Sequence, residues 1–367
     1  MQKVAGQDIR FMREALRLAR KGGTRVHPNP RVGAVLVKGQ TILSRAAHDY
    51  FGGPHAEVNV LRRVKKLPAD ATLYTTLEPC GHWGKTPPCV ELILAKKISR
   101  VVIAAKDPNP LVSGKSLLLL KKAGVRVTQG VLEEEAEFLN RDFRQWITKK
   151  IPYVTVKIAQ TLDGKIATAA GESRWITGPE ARRFSHGLRA ETDAVLVGVN
   201  TVLKDDPRLD ARLPGAPRQP LKVILDGTLK TPSSARIFAK PLATRPLIFT
   251  TRRASARSIH LLRRQAEVVV VKDLGKGRVD LNAVLKFLGK RGIVSLLIEG
   301  GGEVIASALT QKIVNECYVF VAPKILGGGG SVNSVGGSGI KKLSKCWTFR
   351  KFAWGRVGDD FLLQGFF

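Results

Sequence analysis

Two runs of alternating helix and strand patterns, divided at a proline, constrain the fold of this chain more than any other feature of its sequence. From residue 7 to about 150, an amphipathic helix at roughly 8–21 precedes the strands VGAVLVK and TILSRAA, a helix opening near His55 and the strand ATLYTTL. A helix from about Cys89, the strand SRVVIAA, a helix near 114–123 and the strand VRVTQG follow. LEEEAEFLNRDFRQWITKK closes the run as one helix, acidic at its start and basic at its end, as the helix dipole favours. The second run begins at Pro152 with YVTVKIA and a helix near 179–191, then the strands AVLVGV, LKVILD, PLIFTT and EVVVV. It ends with a helix near 280–291, the strand VSLLIEGGG, a helix near 303–311 and the strand ECYVFVAP. Strands separated by helices of this length predict α/β units on largely parallel sheets. The break falls at 148–152, where Pro152 denies the long helix a continuation. The expectation is two α/β domains, 1–150 and 151–367, with LGGGGSVNSVGGSG at 326–339 as a flexible loop.

Composition narrows the class. Hydrophobic content of 44% and charged content of 25% are those of a soluble globular protein. No apolar run approaches the ~20 residues needed to span a bilayer. MQKVAGQDIRFMREALRLARKGG lacks the apolar core of a secretory signal, and four cysteines are too few for a disulfide scaffold in 367 residues. A reduced, cytoplasmic protein is expected. The net charge of +31 raises nucleic acid as a partner. The Lys and Arg residues, however, are scattered from end to end with no basic tail or RNA-binding signature, so the excess reads as solvated surface. The oligomeric state stays open, a homo-oligomer included.

The strongest chemical signal comes from three segments: His55-Ala56-Glu57, Glu78-Pro79-Cys80 and Pro87-Pro88-Cys89. Hydrolytic deamination needs a better nucleophile than neutral water. Zn²⁺ with three protein ligands and one open position lowers the pKa of its water towards ~7. One imidazole and two thiolates supply such a site, and a carboxylate that is not a ligand carries the proton to the ring nitrogen and the leaving amine. His-x-Glu followed by Pro-Cys and a second Cys is a zinc-deaminase signature. His55 and Glu57 fall at the start of a helix. Cys80 follows a strand, and Cys89 opens a helix whose dipole favours a thiolate. The cysteines are separated by eight residues, GHWGKTPP, where the general signature has two. The same GHWGKT segment is not a phosphate loop, because Pro79 stands where a glycine is required.

At these residues the chain resembles the bifunctional riboflavin-biosynthesis deaminase-reductase family. HPNPRVGAVLV, His48 through His55-Ala-Glu57, TLEPCGHWGKTPPC and DPNPLVSGK follow the family's order and spacing, the eight-residue gap included. The resemblance implies His55, Cys80 and Cys89 as ligands of one zinc ion and Glu57 as proton shuttle, on a cytidine-deaminase-like three-layer α/β/α domain. Asn29, His48, His82 and Lys85 are candidates for the pyrimidine ribotide. The family usually has Ser where Gly81 stands and Gly where Ser116 stands. In the second domain PYVTVKIAQTLDGKIATAAGESRWITGPEAR, LVGVNTVLKDDPRLDAR, VILD and IEGGG resemble the family's dihydrofolate-reductase-like half. By motif, Ala159, Trp175, Thr201, Asp205 and Gly300, Gly301 and Gly302 would contact NADPH. Ser173, Arg189, Leu209, Arg212 and Glu299 would contact substrate. The implied pathway step is deamination of a diaminopyrimidinone ribotide, then NADPH reduction of its ribosyl group to ribityl.

Residue chemistry supports parts of the second assignment. EGGGEV places glycines between a strand and a helix, where backbone N–H groups hold a phosphate. Arg189 and Arg212 suit bidentate phosphate or carboxylate binding. Asp163 reads as a turn residue, Lys157 and Lys165 as solvated strand-end lysines, and Cys317 and Cys346 as packed thiols. The competing reading keeps the deaminase but sets it on a tRNA or other nucleic-acid base, with the second domain as a binding module. The basic charge favours that reading, and the cysteine spacing and reductase motifs oppose it. A third class, a scaffold with a structural zinc, would not need Glu57.

Overall fold

The computed structural model describes residues 6–83, 87–110, 112–215, 218–239 and 244–367, and the chain divides into two compact units, Met1–Lys150 and Ile151–Phe367. The first unit comprises α1 (Gly6–Arg20), β1 (Gly33–Lys38), β2 (Thr41–Ala47), α2 (Ala56–Arg62), β3 (Thr72–Leu77), α3 (Cys89–Ala95), β4 (Arg100–Ala105), α4 (Lys115–Lys122), β5 (Arg126–Gln129), α5 (Glu133–Leu139) and α6 (Arg141–Lys149). Its five-stranded sheet has the order β2-β1-β3-β4-β5. β1 pairs antiparallel with β2 and β3, whereas β3, β4 and β5 run parallel. The sheet is therefore mixed, not largely parallel. VGAVLVK and TILSRAA are joined by a tight turn at Gly39 and Gln40, which forces an antiparallel pair.

Successive residues of β1, β3 and β4 are buried, so helices cover both sheet faces, giving three layers. α1 turns Phe11, Met12, Ala15 and Ala19 inward at helical spacing. It meets β1 at Gly33, where a Cβ would sit 2.0 Å from the Ala15 carbonyl oxygen. The acidic-to-basic segment read as one helix is two. Asn140 leaves helical geometry (φ −109°, ψ 23°) and its side chain pairs with the Arg31 backbone, accepting from N–H at 2.8 Å and donating to the carbonyl at 2.9 Å. Those tertiary bonds outweigh the propensity of the segment to continue.

The second unit comprises β6 (Tyr153–Thr161), β7 (Lys165–Ala167), α7 (Pro179–Ala190), β8 (Ala194–Gly198), α8 (Val199–Asp205), β9 (Leu221–Leu225), β10 (Leu247–Thr250), α9 (Ala256–Leu262), β11 (Glu267–Val270), α10 (Leu281–Lys290), β12 (Ser295–Glu299), α11 (Gly302–Thr310), β13 (Glu316–Ala322), β14 (Val332–Asn333), β15 (Lys351–Val357) and β16 (Asp360–Phe366). Nine strands form one sheet in the order β11-β10-β9-β8-β12-β6-β13-β16-β15. It is parallel from β11 to β13 and antiparallel at β16 and β15. Alternate residues serve opposite faces: Ala194 and Leu196 join one apolar cluster, Val195 and Val197 the other.

Two sequence expectations need correction here. The glycine-rich segment is not wholly loop, because Val332 and Asn333 pair with β7 and the Ser334 N–H reaches the Gly164 carbonyl at 2.9 Å. Cys317 is packed as expected, but Cys346 is exposed. The terminal β15–β16 hairpin was not read from the sequence. No helix among the described residues is long and apolar enough to cross a membrane.

Candidate active sites

In the first unit, the loop after β2, the loop after β3 and the start of α3 converge. His55 caps α2 in extended geometry, which turns its ring off the helix axis while Glu57 enters the first turn. Its Nδ1 lies 3.4 Å from Cys80 Sγ and 3.2 Å from Cys89 Sγ, and the three donor atoms all fall within 4.8 Å of one another. Tetrahedral zinc with bonds of ~2.0–2.3 Å separates its N and S ligands by about 3.5 Å. The donor set and its spacing therefore fit zinc.

Glu57 is buried. Its Oε1 accepts from Thr75 Oγ at 3.4 Å, and its Oε2 lies 3.8 Å from Cys89 Sγ, beside the ligands. Burial raises its carboxyl above the usual range, against the lowering influence of the His55 charge. The first N–H of α3 points at Cys80 Sγ, at 3.3 Å, and not at the sulfur of Cys89 itself. The Cys80 thiol is held down by hydrogen bonds from Cys89 and His55, and that of Cys89 is pushed up by its bond to Cys80 and by burial. The helix start thus serves Cys80, where the sequence suggested Cys89.

Asn29 and His48 stand at the same place. His48 Nδ1 donates to the Pro54 carbonyl at 3.0 Å, which leaves Nε2 to accept from Asn29 Nδ2 at 3.2 Å. The ring lies edge-on to His55, centroids 5.4 Å apart, and burial lowers its pKa, so it stays neutral. His82 is exposed, and Lys85 lies outside the described residues. The sequence reading missed Asp107, which accepts the Asn109 N–H at 2.8 Å and is raised to about 6 by burial, near Glu78 and Cys80. It lies in DPNPLVSGK, a segment that carries the resemblance but in which no single residue was assigned a role.

In the second unit a cavity of about 1090 Å³ opens at the carboxyl ends of β6, β8, β9 and β12, where parallel sheets place ligand sites. Every residue expected for the reductase lines it: Ala159, Trp175, Thr201, Asp205, Gly300, Gly301 and Gly302, with Ser173, Arg189, Leu209, Arg212 and Glu299. Gly300 and Gly301, which line the cavity, adopt φ of 91° and 75° between β12 and α11, a conformation that glycine permits and that leaves the backbone there without side chains. A Cβ on Gly300 would crowd Thr201 Oγ at 3.3 Å. Loop and threonine form a cradle that fits a dinucleotide phosphate.

Glu299 and Arg189 form a two-pronged ion pair, 2.5 and 2.9 Å, with Lys157 Nζ at 3.7 Å. Burial alone would raise Glu299, but the Arg189 and Lys157 charges hold it at about 2. Lys157 is thus largely buried and paired, not a solvated strand end. Ser173 Oγ donates to Asp205 at 3.2 Å. Arg212 meets His186 twice, its Nε 3.3 Å from Nε2 and its backbone N–H 3.3 Å from Nδ1, and Nδ1 also lies 3.2 Å from the Asp210 carbonyl oxygen. Trp175 is exposed under the Arg182 guanidinium, 4.6 Å from its ring centroid. Asp163 is the turn residue expected, accepting from Thr161 Oγ and from the N–H groups of Leu326 and Gly327. Lys165 Nζ donates to Asn333 at 2.7 Å.

Comparison with known proteins matches both units. Residues 5–105 match the cytidine and deoxycytidylate deaminase zinc-binding region, and residues 152–363 match the RibD C-terminal domain. The chain is 43% identical to riboflavin biosynthesis protein RibD of Aquifex aeolicus over 97% of each. The chain belongs to the RibD family. The RibD protein of Escherichia coli is 38% identical, with 88% of this chain and 89% of that one covered. Among solved RibD structures, the Thermotoga maritima diaminohydroxyphosphoribosylaminopyrimidine deaminase/5-amino-6-(5-phosphoribosylamino)uracil reductase superposes with a TM-score of 0.86, at 37% identity over 98% of both chains. Acinetobacter baumannii RibD superposes at 0.87 with 32% identity, also over 98% of both chains.

Proposed function

We propose that this chain carries out two consecutive steps of riboflavin biosynthesis, with residues 1–150 as the deaminase and residues 151–367 as the reductase. The observation that carries the first assignment is the convergence of His55, Cys80 and Cys89 with Glu57 beside them. The substrate is 2,5-diamino-6-(5-phosphoribosylamino)pyrimidin-4-one. Water adds at the ring carbon bearing the amino group, ammonia leaves, and a carbonyl remains. His55, Cys80 and Cys89 would hold one zinc ion, which would supply an activated water. Glu57 takes one proton from that water and gives it to the ring nitrogen, then carries the remaining hydroxyl proton to the departing amine, so that ammonia leaves and the carbonyl forms. Its burial, which favours the protonated form, suits that traffic. Asn29 and His48 form a polar wall for the pyrimidine, and His82 and Lys85 are further candidate contacts of the ribotide.

In the second unit Gly300, Gly301, Gly302, Thr201, Ala159, Trp175 and Asp205, which line the cavity, would hold NADPH, and NADPH would supply the hydride. Ser173, Arg189, Leu209, Arg212 and Glu299 orient the ribosyl phosphate so that C1 of the sugar receives it, giving 5-amino-6-(5-phosphoribitylamino)uracil. Arg212, kept in place by His186, has donors left for phosphate, whereas the fork of Arg189 is engaged by Glu299. Deamination of a nucleic-acid base is disfavoured, because residues 152–363 match a reductase-family domain and not a binding module. A staged assay tests the reading. The ribotide should release ammonia without NADPH, and NADPH added afterwards should then be oxidised. NADPH oxidation with no prior ammonia release would contradict the order, and no ammonia from zinc-loaded protein would contradict the substrate.

A further inference from the structure

The loop that carries Cys80 meets the helix behind it at Gly81 and Ser116. A Cβ built on Gly81 would lie 2.8 Å from Ser116 Oγ but 3.6 Å from Ser116 Cβ. The first distance is closer than a real Cβ approaches its neighbours, and the second is ordinary contact. Gly81 is not among the glycines at positive φ, so its backbone would accept any L residue. A side chain there would have to displace the Ser116 hydroxyl from the place it occupies.

Ser116 is fully buried, and its Oγ has no hydrogen-bond partner among the described residues. An unpartnered buried hydroxyl costs about 1–3 kcal/mol, so stability alone would favour alanine. Ser116 sits in the first turn of α4, whose preceding residue Gly114 donates its N–H to Glu78 Oε2 at 2.9 Å. Glu78 also accepts the Asp107 N–H at 3.3 Å. The helix start is therefore tied to the Glu78–Gly81 loop from one side, and the Ser116 side chain abuts it from the other. Between them runs Cys80, whose carbonyl accepts the Val90 N–H at 3.2 Å and whose sulfur accepts that of Cys89 at 3.3 Å.

We propose that Ser116 is a positioning residue for Cys80. Its hydroxymethyl group fills the space beside Gly81 and fixes the path of the chain as it leaves the ligand. Positions 81 and 116 form a reciprocal pair, one with a side chain and the other without. The inference rests on Cys80 being a metal ligand.

The test uses the full chain loaded with Co²⁺, reading cobalt affinity by chelator competition and the thiolate-to-cobalt absorption band. Gly81→Ala should weaken cobalt binding about tenfold or more and shift the band, as loss of support around a ligand does. Ser116→Ala alone should also weaken cobalt binding, by about tenfold, because the space beside Gly81 empties; binding within about threefold of the unaltered chain would overturn the proposal. Gly81→Ala combined with Ser116→Ala, and the exchanged pair Gly81→Ser with Ser116→Gly, should recover affinity to within about threefold and restore the band. Gly81→Ala binding like the unaltered chain, or a double variant no better than Gly81→Ala, would overturn the proposal. Should Gly81→Ala fail to fold, the exchanged pair decides alone: an unaltered band supports the proposal, a shifted or lost band refutes it. Absence of the band in the unaltered chain would instead overturn the zinc assignment itself.

Discussion

Replacing Glu299 with Gln removes the negative charge that Arg189 and Lys157 share, while keeping the shape of the side chain. Glu299 is 6% exposed, and the Arg189 and Lys157 side chains that face it are 14% and 18% exposed. Two cations would then face a neutral amide in a poorly solvated site. The downward displacement of Glu299 from 4.5 to about 2 corresponds to about 3 kcal/mol of folded-state preference for the carboxylate. Breaking a buried ion pair by removing one partner costs about 3–5 kcal/mol, which agrees. Since 1.36 kcal/mol is tenfold, amide exchange through unfolding of the second unit should accelerate on the order of 100-fold at pH 7. Peptides covering β6 and β12, followed by hydrogen exchange and mass spectrometry, read this directly. Because the folded-state pKa is depressed, the contribution is fully present above the unfolded carboxylate value of ~4.3. It fades as pH falls towards 2, so the gap between the two proteins should close over that interval. An acceleration below about fivefold at pH 7, or a gap that does not change with acid, would refute a net stabilising role for this cluster.

Other perturbations separate the two sites. Glu57→Gln should retain zinc, measured by elemental analysis, while ammonia release falls by about 10²–10⁴-fold; retained turnover would remove Glu57 from the reaction. Cys80→Ser should lose zinc and deamination but still oxidise NADPH when given the deaminated ribotide, and loss of both activities would argue against independent units. Asn140→Ala removes both side-chain bonds to the Arg31 backbone, which should destabilise the first unit by about 1–3 kcal/mol in urea titration. A change within about 0.5 kcal/mol would show that the helix break has another cause.

Local chemistry made some of this legible in advance. Each strand from VGAVLVK to ECYVFVAP carries enough β-branched and aliphatic residues to declare itself, and Pro152 marks the boundary between units. The zinc cluster was readable because its ligands lie in short motifs with fixed chemistry. What escaped was long-range. Nothing within LEEEAEFLNRDFRQWITKK signals a break, because Asn140 is drawn out of the helix by Arg31, 109 residues away. β14 pairs with β7 across a segment whose glycines resemble a linker, and the register comes from its partner. Lys157 looked solvated because its counter-charge, Glu299, lies on a strand that is adjacent only in the sheet. Asp107 and Ser116 carry weak motifs, and their meaning depends on burial beside Cys80.

The central claim is that one chain performs both steps on one ribotide, and the most direct test is the composition of the product. Full-length protein with zinc, NADPH and the diaminopyrimidinone ribotide would be incubated and the pyrimidine analysed by high-resolution mass spectrometry. The account predicts a product that has exchanged an amino group for oxygen and gained two hydrogens, preceded in time by a species changed only by the deamination. A reduced product that retains both amino groups, or a deaminated product that NADPH never alters, would contradict it.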